Sequence, residues 1–506
     1  MLRTAVVCIA GLLATACATL PPGASFPKSA TTALARPEIT SLGRQFASAA
    51  RQRPGNSGFR MLSVGVDGFL ARVQMIGAAA RTLDLEYYIF RQDDTGQLLT
   101  DAVLRAADRG VRVRVLVDDG DTLDGDELLA TLGAHPNIEI RVFNPFVYRG
   151  HLNALRAIEF LFTASRLDYR MHNKLMVVDN AVALVGGRNV GDQYFQVDTK
   201  SQFGDDDVFA AGPIVNELSG TFDQFWNCAL AIPVVALAGS RPTADALTEY
   251  REVLDAHRRE LVANGTDYAI RMTGGEPLAG ILSGRLPLVW AHVRLVYDSP
   301  EKKNVEDGEM IGKLMHPAVA ATAAASRHEL LMVTPYLIPG DSGVQLLSGL
   351  RSRGVRVRIL TNSLASAPEP EAHSGYMHYR VPLLQDGVEL YEVRASLGSA
   401  RGSGEPKSVA RATDYALHAK LFVFDRRRLY VGSMNFDERS HHLNTEIGLI
   451  IDSPELAQQM ASRFEAITAP ENSYQVRWIA GNAGGPGHLA WLTREDGEAI
   501  EYDREP

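Results

Sequence analysis

The spacing of apolar positions switches from strand-like to helical and back within fewer than forty residues, and the same switch recurs later in the chain. Residues 82–90 (TLDLEYYIF) are β-branched and aromatic, the pattern of a strand. Residues 97–108 carry apolar positions at helical spacing and are closed by Gly110, which predicts an amphipathic helix. Residues 111–117 return to the strand pattern. Residues 329–337, 343–353 and 355–361 repeat the series. Strand, helix, strand with apolar strands predicts an α/β class: a mostly parallel sheet flanked by helices. The Val/Arg alternation at 111–116 and 355–360 places its arginines on the less covered face.

The recurrence is a duplication. RGVRVRVL at 109–116 returns as RGVRVRIL at 353–360, Tyr88 returns as Tyr336, and His172-Asn-Lys174 returns as His418-Ala-Lys420. Each pair is separated by about 245 residues. Two tandem halves are therefore expected, at 58–235 and 285–468. A connector at 236–284 contains a charged amphipathic helix over 243–261, stopped by Asn264-Gly265. The tail at 469–506 is rich in Gly, Asn and acids; an ordered stretch around Trp478 and a loose end are expected.

Composition narrows the class. The 506 residues suffice for two domains, and 46% hydrophobic with 22% charged content is ordinary for a globular protein. A net charge of -9 argues against a dedicated nucleic-acid binder, which needs a basic surplus. Residues 1–16 read as an export signal: Arg3, then an apolar run too short to span a bilayer, then Ala14-Thr15-Ala16 before Cys17. Cys17 is expected to carry lipid, with an ordinary secretory cleavage at the same place as the alternative. With Cys8 removed and Cys17 lipidated, Cys228 is left single and no intramolecular disulfide can form. Residues 17–57, rich in Pro, Ser, Thr, Ala and Gly, are expected to be a tether. The expected location is the bacterial cell envelope, lipid-anchored on the periplasmic side, with the outer membrane favoured.

The candidate chemistry lies in the duplicated motif. His172, Lys174 and Asp179 are followed by Gly186-Gly187-Arg188-Asn189; His418, Lys420 and Asp425 are followed by Gly432-Ser433-Met434-Asn435. His and Lys at i and i+2 of a strand share one face. Such a pair suits a phosphate, because the ammonium neutralises oxygen charge while the imidazole attacks or transfers a proton. The Gly-rich turn allows close backbone approach, and Asn189 and Asn435 add neutral donors. A lone His-x-Lys is usually structural, but two complete copies in a duplicated chain reverse that weighting. No zinc- or magnesium-type ligand cluster stands out, so no metal or other cofactor is expected.

This pattern resembles the phospholipase D superfamily over about residues 58–468. The resemblance implies two halves related by a pseudo-twofold axis, with both motifs meeting in one site. It further implies a covalent phosphohistidine, His172 as nucleophile and His418 as general acid/base. Lys174, Lys420, Asn189 and Asn435 would hold phosphoryl oxygens, with help from Ser433. Asp179 and Asp425, though part of the motif, are expected to be structural. Asp207 and Glu446, each at the start of an apolar strand, are the candidate carboxylates that orient the imidazoles.

Longer matches are similar to the bacterial cardiolipin synthase C type. They are Gly186–Phe195, Asp205-Asp206-Asp207-Val208 with Gly212-Pro213, Asn435–Ser440 with Asn444-Thr445-Glu446, and His373–Tyr376 with Arg380 and Gly387–Glu392. That resemblance implies phosphatidyl transfer among phospholipids such as phosphatidylethanolamine and phosphatidylglycerol, giving cardiolipin at a membrane surface. The alternatives are a phospholipase D that uses water and an exported metal-independent nuclease; the acidic balance disfavours the nuclease, and no nucleic-acid partner is expected. Residues 143–148 and 157–162 (AIEFLF) are candidate membrane-facing segments, against the competing reading that apolar helix faces are core.

Overall fold

The computed structural model describes residues 21–120, 125–150, 152–238, 242–272, 277–308, 311–397, 414–481 and 487–506. The expected signal segment and Cys17 lie outside these residues.

Each half contributes three parallel strands where the sequence shows strand, helix, strand. In the first half these are Thr82–Tyr87, Arg112–Asp118 and Ile138–Phe143. In the second they are Glu329–Val333, Arg356–Asn362 and Glu389–Val393. Gly110 and Gly354 stop the intervening helices at φ 87° and 83°, which a residue without Cβ adopts freely. The sheet is mixed rather than mostly parallel, because hairpins add antiparallel strands beside each parallel trio. Leu175–Val178 pairs with Val182–Gly186, and Leu421–Phe424 with Arg428–Gly432.

The two sheets join at the pseudo-twofold axis, where Ser57–Leu62 pairs antiparallel with Val289–Tyr297. Strand alternation then divides the core. Leu175 and Val177 pack with Leu421 and Val423 in a core shared by both halves, whereas Met176 and Val178 face the outer helices of the first half. Phe422 and Phe424 do the same in the second half. Helices Ile214–Asn227 and Pro454–Ile467 fill the shared layer through Phe222, Phe225, Trp226 and Phe464. The connector helix runs over Ala244–Ala263, with the Thr243 hydroxyl accepting from the Ala246 N–H.

Three expectations need correction. The described part of the tether is a docked strap. Lys28 donates to the carbonyls of Cys228 and Ala231, Asp223 accepts from the Ala33 N–H, and residues 41–51 form a helix. The strap also covers the arginine face: Arg114 is buried, pairs with Asp84 at 2.7 Å and donates to the Thr31 carbonyl. Composition suggested a flexible link because the strap is held by backbone groups, which any sequence supplies. The tail is likewise built in. Ser473–Ile479, His488–Glu495 and Glu498–Tyr502 extend the second sheet from Glu389–Val393. Near the chain end, Glu505 pairs with His373 and Arg380.

Candidate active site

Each His-x-Lys segment follows a residue pinned by its own half. Asp118, ending Arg112–Asp118, accepts the Met171 N–H at 2.9 Å and pairs with Arg170 at 2.6 Å. Asn362, ending Arg356–Asn362, accepts the Leu417 N–H at 2.8 Å. The histidines themselves are pinned by the opposite half: His172 N–H donates to Thr445 O at 2.9 Å, and His418 N–H donates to Gly204 O at 2.8 Å. The next residue in each opposing strand supplies a carboxylate. Glu446 Oε2 lies 3.0 Å from His172 Nδ1, and Asp205 Oδ2 lies 2.6 Å from His418 Nδ1. A carboxylate on Nδ1 fixes the tautomer and leaves Nε2 as the reactive nitrogen.

Both imidazoles, 7% and 6% exposed, line one cleft of about 430 Å³ together with Tyr88, Tyr336, Asn189 and Glu369. The rings are held by aromatic neighbours. Tyr88 meets His172 edge-on at 5.0 Å, and Phe203 stacks on His418 at 5.4 Å. Lys174 Nζ donates to His172 O at 2.6 Å, and Lys420 Nζ lies 3.0 Å from His418 Nε2. Burial and the lysines push His172 well below its ordinary pKa and His418 down to about 3. Burial also lowers Lys174 far below the usual ammonium value and Lys420 to about 8.

The two carboxylates differ. Glu446 receives the hydroxyls of Ser433 and Ser440, and burial raises it to about 7. Burial opposes ionisation of Asp205 too, but His418, Lys420 and Arg188 outweigh it and hold Asp205 below the usual carboxylate range. Ser433 thus braces Glu446. Its counterpart is Gly187, where a Cβ would fall 2.1 Å from Asp205 Oδ1. The shorter acid has moved into the space that a side chain fills in the other half.

Asp207 does not meet either histidine. It pairs with Arg72 at 2.9 Å and Arg188 at 3.2 Å, all three buried. Strand register explains the displacement. Gly186 pairs with Asp207, and Gly432 pairs with Gly448, so Glu446 corresponds to Asp205 and Asp207 to Gly448. The second half carries Met434 where the first carries Arg188, so it has no buried cation there to neutralise.

The remaining motif residues divide by role. Asn189 lines the cleft with its Oδ1 accepting from the Ile89 N–H, which leaves its NH2 as a donor. Asn435 is buried beside Ser440, whose hydroxyl accepts its backbone N–H, and its Oδ1 lacks a partner. Asp179 and Asp425 serve the fold. Each starts a hairpin turn at φ 55° or 52°, a region that Asp tolerates better than most residues. The Asp179 carboxylate accepts the N–H groups of Ala80, Arg81 and Thr82; Asp425 accepts those of Arg327, His328 and Glu329. The motif aspartate therefore ties the hairpin to the first parallel strand, which is why it follows the lysine at a fixed distance.

Asp118 and Asn362 escaped the sequence reading, and Asp205 and Ser440 entered it only inside matched segments, without a role. The closing position of the RVRVLVD and RVRILTN strands held a signal for the first two, and the Asp205-Asp206-Asp207 run held an ambiguous one for the third. Among the described residues, folding also brings donor atoms of Glu438, His441 and His442 within 4.8 Å of one another, outside the catalytic motifs.

Paired imidazoles, each braced by a carboxylate from the other half and flanked by buried lysines, define a phosphodiester-processing centre. Residues 73–226 and 319–468 match the family described as "Cardiolipin synthase, PLD-like domain". The chain belongs to the phospholipase D superfamily and is an enzyme of that type. It is 36% identical to "Cardiolipin synthase C" of Escherichia coli K12, across 90% of this chain and 93% of that one. It is 23% identical to "Cardiolipin synthase" of Alkalihalophilus pseudofirmus, across 77% of this chain and 61% of that one. Among solved structures, a phosphatidylserine synthase from Haemophilus influenzae shares the fold, with TM-score 0.53, 15% identity, and coverage of 85% of this chain and 91% of that one.

Proposed function

We propose that the protein is a phosphatidyltransferase that makes cardiolipin from phospholipids through a covalent phosphohistidine. The observation that carries this reading is the crossed bracing of two buried imidazoles in one cleft, together with the relatedness to cardiolipin synthases.

His172 Nε2 attacks the phosphorus of a donor such as phosphatidylethanolamine or phosphatidylglycerol. The bond from phosphorus to the headgroup oxygen breaks, and His418 delivers a proton to that oxygen. His418 then removes the proton from a glycerol hydroxyl of phosphatidylglycerol. The new alkoxide displaces His172, giving cardiolipin and restoring the enzyme. Asp205 stays ionised and faces His418, which suits the imidazole that must carry the proton. Burial first, and then the charges of Lys420 and Lys174, keep His418 unprotonated in the free site; an arriving phosphodiester anion offsets the lysine charges and so removes part of that bias.

Helix Asn153–Leu167 supports a membrane-facing approach. Its polar residues turn inward: Arg156 reaches Asp119, and Glu159 accepts the N–H groups of Val147 and Tyr148. Its apolar residues turn outward, with Leu161 77% and Phe162 66% exposed, beside Leu155, Ile158 and the preceding Leu152. The helix that carries this inverted amphipathic surface ends five residues before His172, and the surface fits the interfacial layer of a bilayer. No described helix is long and apolar enough to cross a membrane. Anchoring through a lipid on Cys17, on the periplasmic side of the envelope, would hold this surface against its substrate.

The test is mass spectrometry of lipids after incubation with vesicles of phosphatidylethanolamine and phosphatidylglycerol, beside His172→Ala. Cardiolipin formed only by the intact enzyme supports transfer. Phosphatidic acid alone would make the protein a hydrolase instead.

A further inference from the structure

Behind Glu446 lies a second cluster that the transfer reaction does not use. The short helix Glu438–His442 presents Glu438, His441 and His442 at Glu-x-x-His and i,i+4 spacing, so all three project from one side. Their donor atoms lie within 4.8 Å of one another, and Glu438 Oε2 is 3.5 Å from His442 Nε2. Tetrahedral coordination with bonds of about 2.0–2.1 Å places donors about 3.3 Å apart, so modest side-chain rotation completes the geometry.

A second element packs against the cluster. His316, from helix Met315–Ala324, stacks on His441 with ring centroids 3.6 Å apart, and His441 stacks on His442 at 4.0 Å. A third element approaches with Glu306, whose Oε2 is 3.6 Å from His442 Nδ1. Three stacked imidazoles with two carboxylates at their edge form a poor hydrophobic contact. Two of the imidazoles and the Glu438 carboxylate bring their donor atoms together as a nitrogen and oxygen ligand set.

We propose that Glu438, His441 and His442 bind one divalent transition cation of the zinc class, with water completing its coordination. Imidazole nitrogens with a carboxylate select zinc, cobalt, nickel or copper over the hard cations magnesium and calcium. The site is outside the catalytic cleft, and the ion has no part in bond making.

Its position gives the ion a consequence. Ser440, between the ligands, donates its hydroxyl to Glu446 Oε1 at 2.8 Å, and its carbonyl accepts from Lys302 Nζ at 2.8 Å. Lys302 begins the helix that carries Glu306. A bound cation therefore fixes the short helix that carries Ser440, beside the carboxylate that orients His172. It stabilises the second half and stiffens the Ser440–Glu446–His172 chain of hydrogen bonds.

The experiment uses untagged full-length protein stripped with a chelator and titrated with zinc and, separately, cobalt. One equivalent should bind, cobalt should give the visible absorption of a tetrahedral nitrogen and oxygen site, and zinc should raise the Tm. The double variant His441→Ala/His442→Ala should bind at least ten-fold more weakly and lose the Tm response, while His488→Ala, an exposed histidine elsewhere, should behave as the parent. If the double variant does not fold, Glu438→Gln, at an exposed position, takes its place with the same expected loss. Absence of stoichiometric binding, or equal binding by the parent and the cluster variant, overturns the proposal.

Discussion

Asp205 Oδ2 stands 2.6 Å from His418 Nδ1, although the two residues belong to different halves of the chain. His172 and Glu446 form the reciprocal pair at 3.0 Å. Neither half alone completes either of these two pairs, so duplication and assembly are part of the chemistry.

The first prediction separates neighbouring acids. Asp205→Asn removes the anion that supports the His418 imidazolium, and kcat should fall by about 10²–10⁴ with the melting temperature nearly unchanged. Asp207→Asn leaves Arg72 and Arg188 buried without their partner, which should cost about 3–5 kcal/mol of stability. Denaturant unfolding beside steady-state kinetics on both variants checks the assignment. A stability loss in Asp205→Asn with kcat retained would reverse it.

Gly187 should be intolerant even of alanine. The added methyl would occupy the position of Asp205 Oδ1, and the acid would have to leave His418. Transferase activity of Gly187→Ala should fall at least about 100-fold, in line with removal of a group that fixes a catalytic imidazole. Glycine has no such requirement at the mirror position, where Ser433 stands, so Ser433→Gly should cost less.

Activity should decline at high pH through Lys420. Its folded value of about 8 means that it is charged below pH 8 and loses its proton, with its grip on phosphate, above it. The profile of kcat/KM, which reports the free enzyme, should bend downward near pH 8. Lys420→Arg keeps its charge over this range, so its profile should lack that bend whatever its absolute rate.

The outward apolar helix should govern binding to vesicles. Leu161→Ser with Phe162→Ser removes two side chains that would each gain about 1.5–3 kcal/mol on burial, so vesicle affinity should drop at least about ten-fold. Cleavage of a short-chain soluble phosphodiester should stay at the parental rate. Vesicle sedimentation and a chromogenic substrate measure the two quantities separately.

What the sequence determined was everything that rests on local pattern and repetition. The period changes at 82–117 and 329–361 set the strands and helices, because side-chain spacing dictates which faces can be buried. The repeated His-x-Lys segments marked the reacting groups, because the chemistry needs those side chains on one strand face. Tertiary structure decided what depends on register and on the meeting of distant segments. Asp205 replaced Asp207 as the partner of His418 because a two-residue difference keeps a side chain on the same face of a strand, and only the pairing of Gly186 with Asp207 distinguishes the two positions. The strap around Lys28 and the tail to Glu505 looked loose because backbone carbonyls and single ion pairs hold them, and neither leaves a periodic mark. Likewise, the alignment of Glu306 and His316 with His441 and His442 follows from packing between helices far apart in the chain.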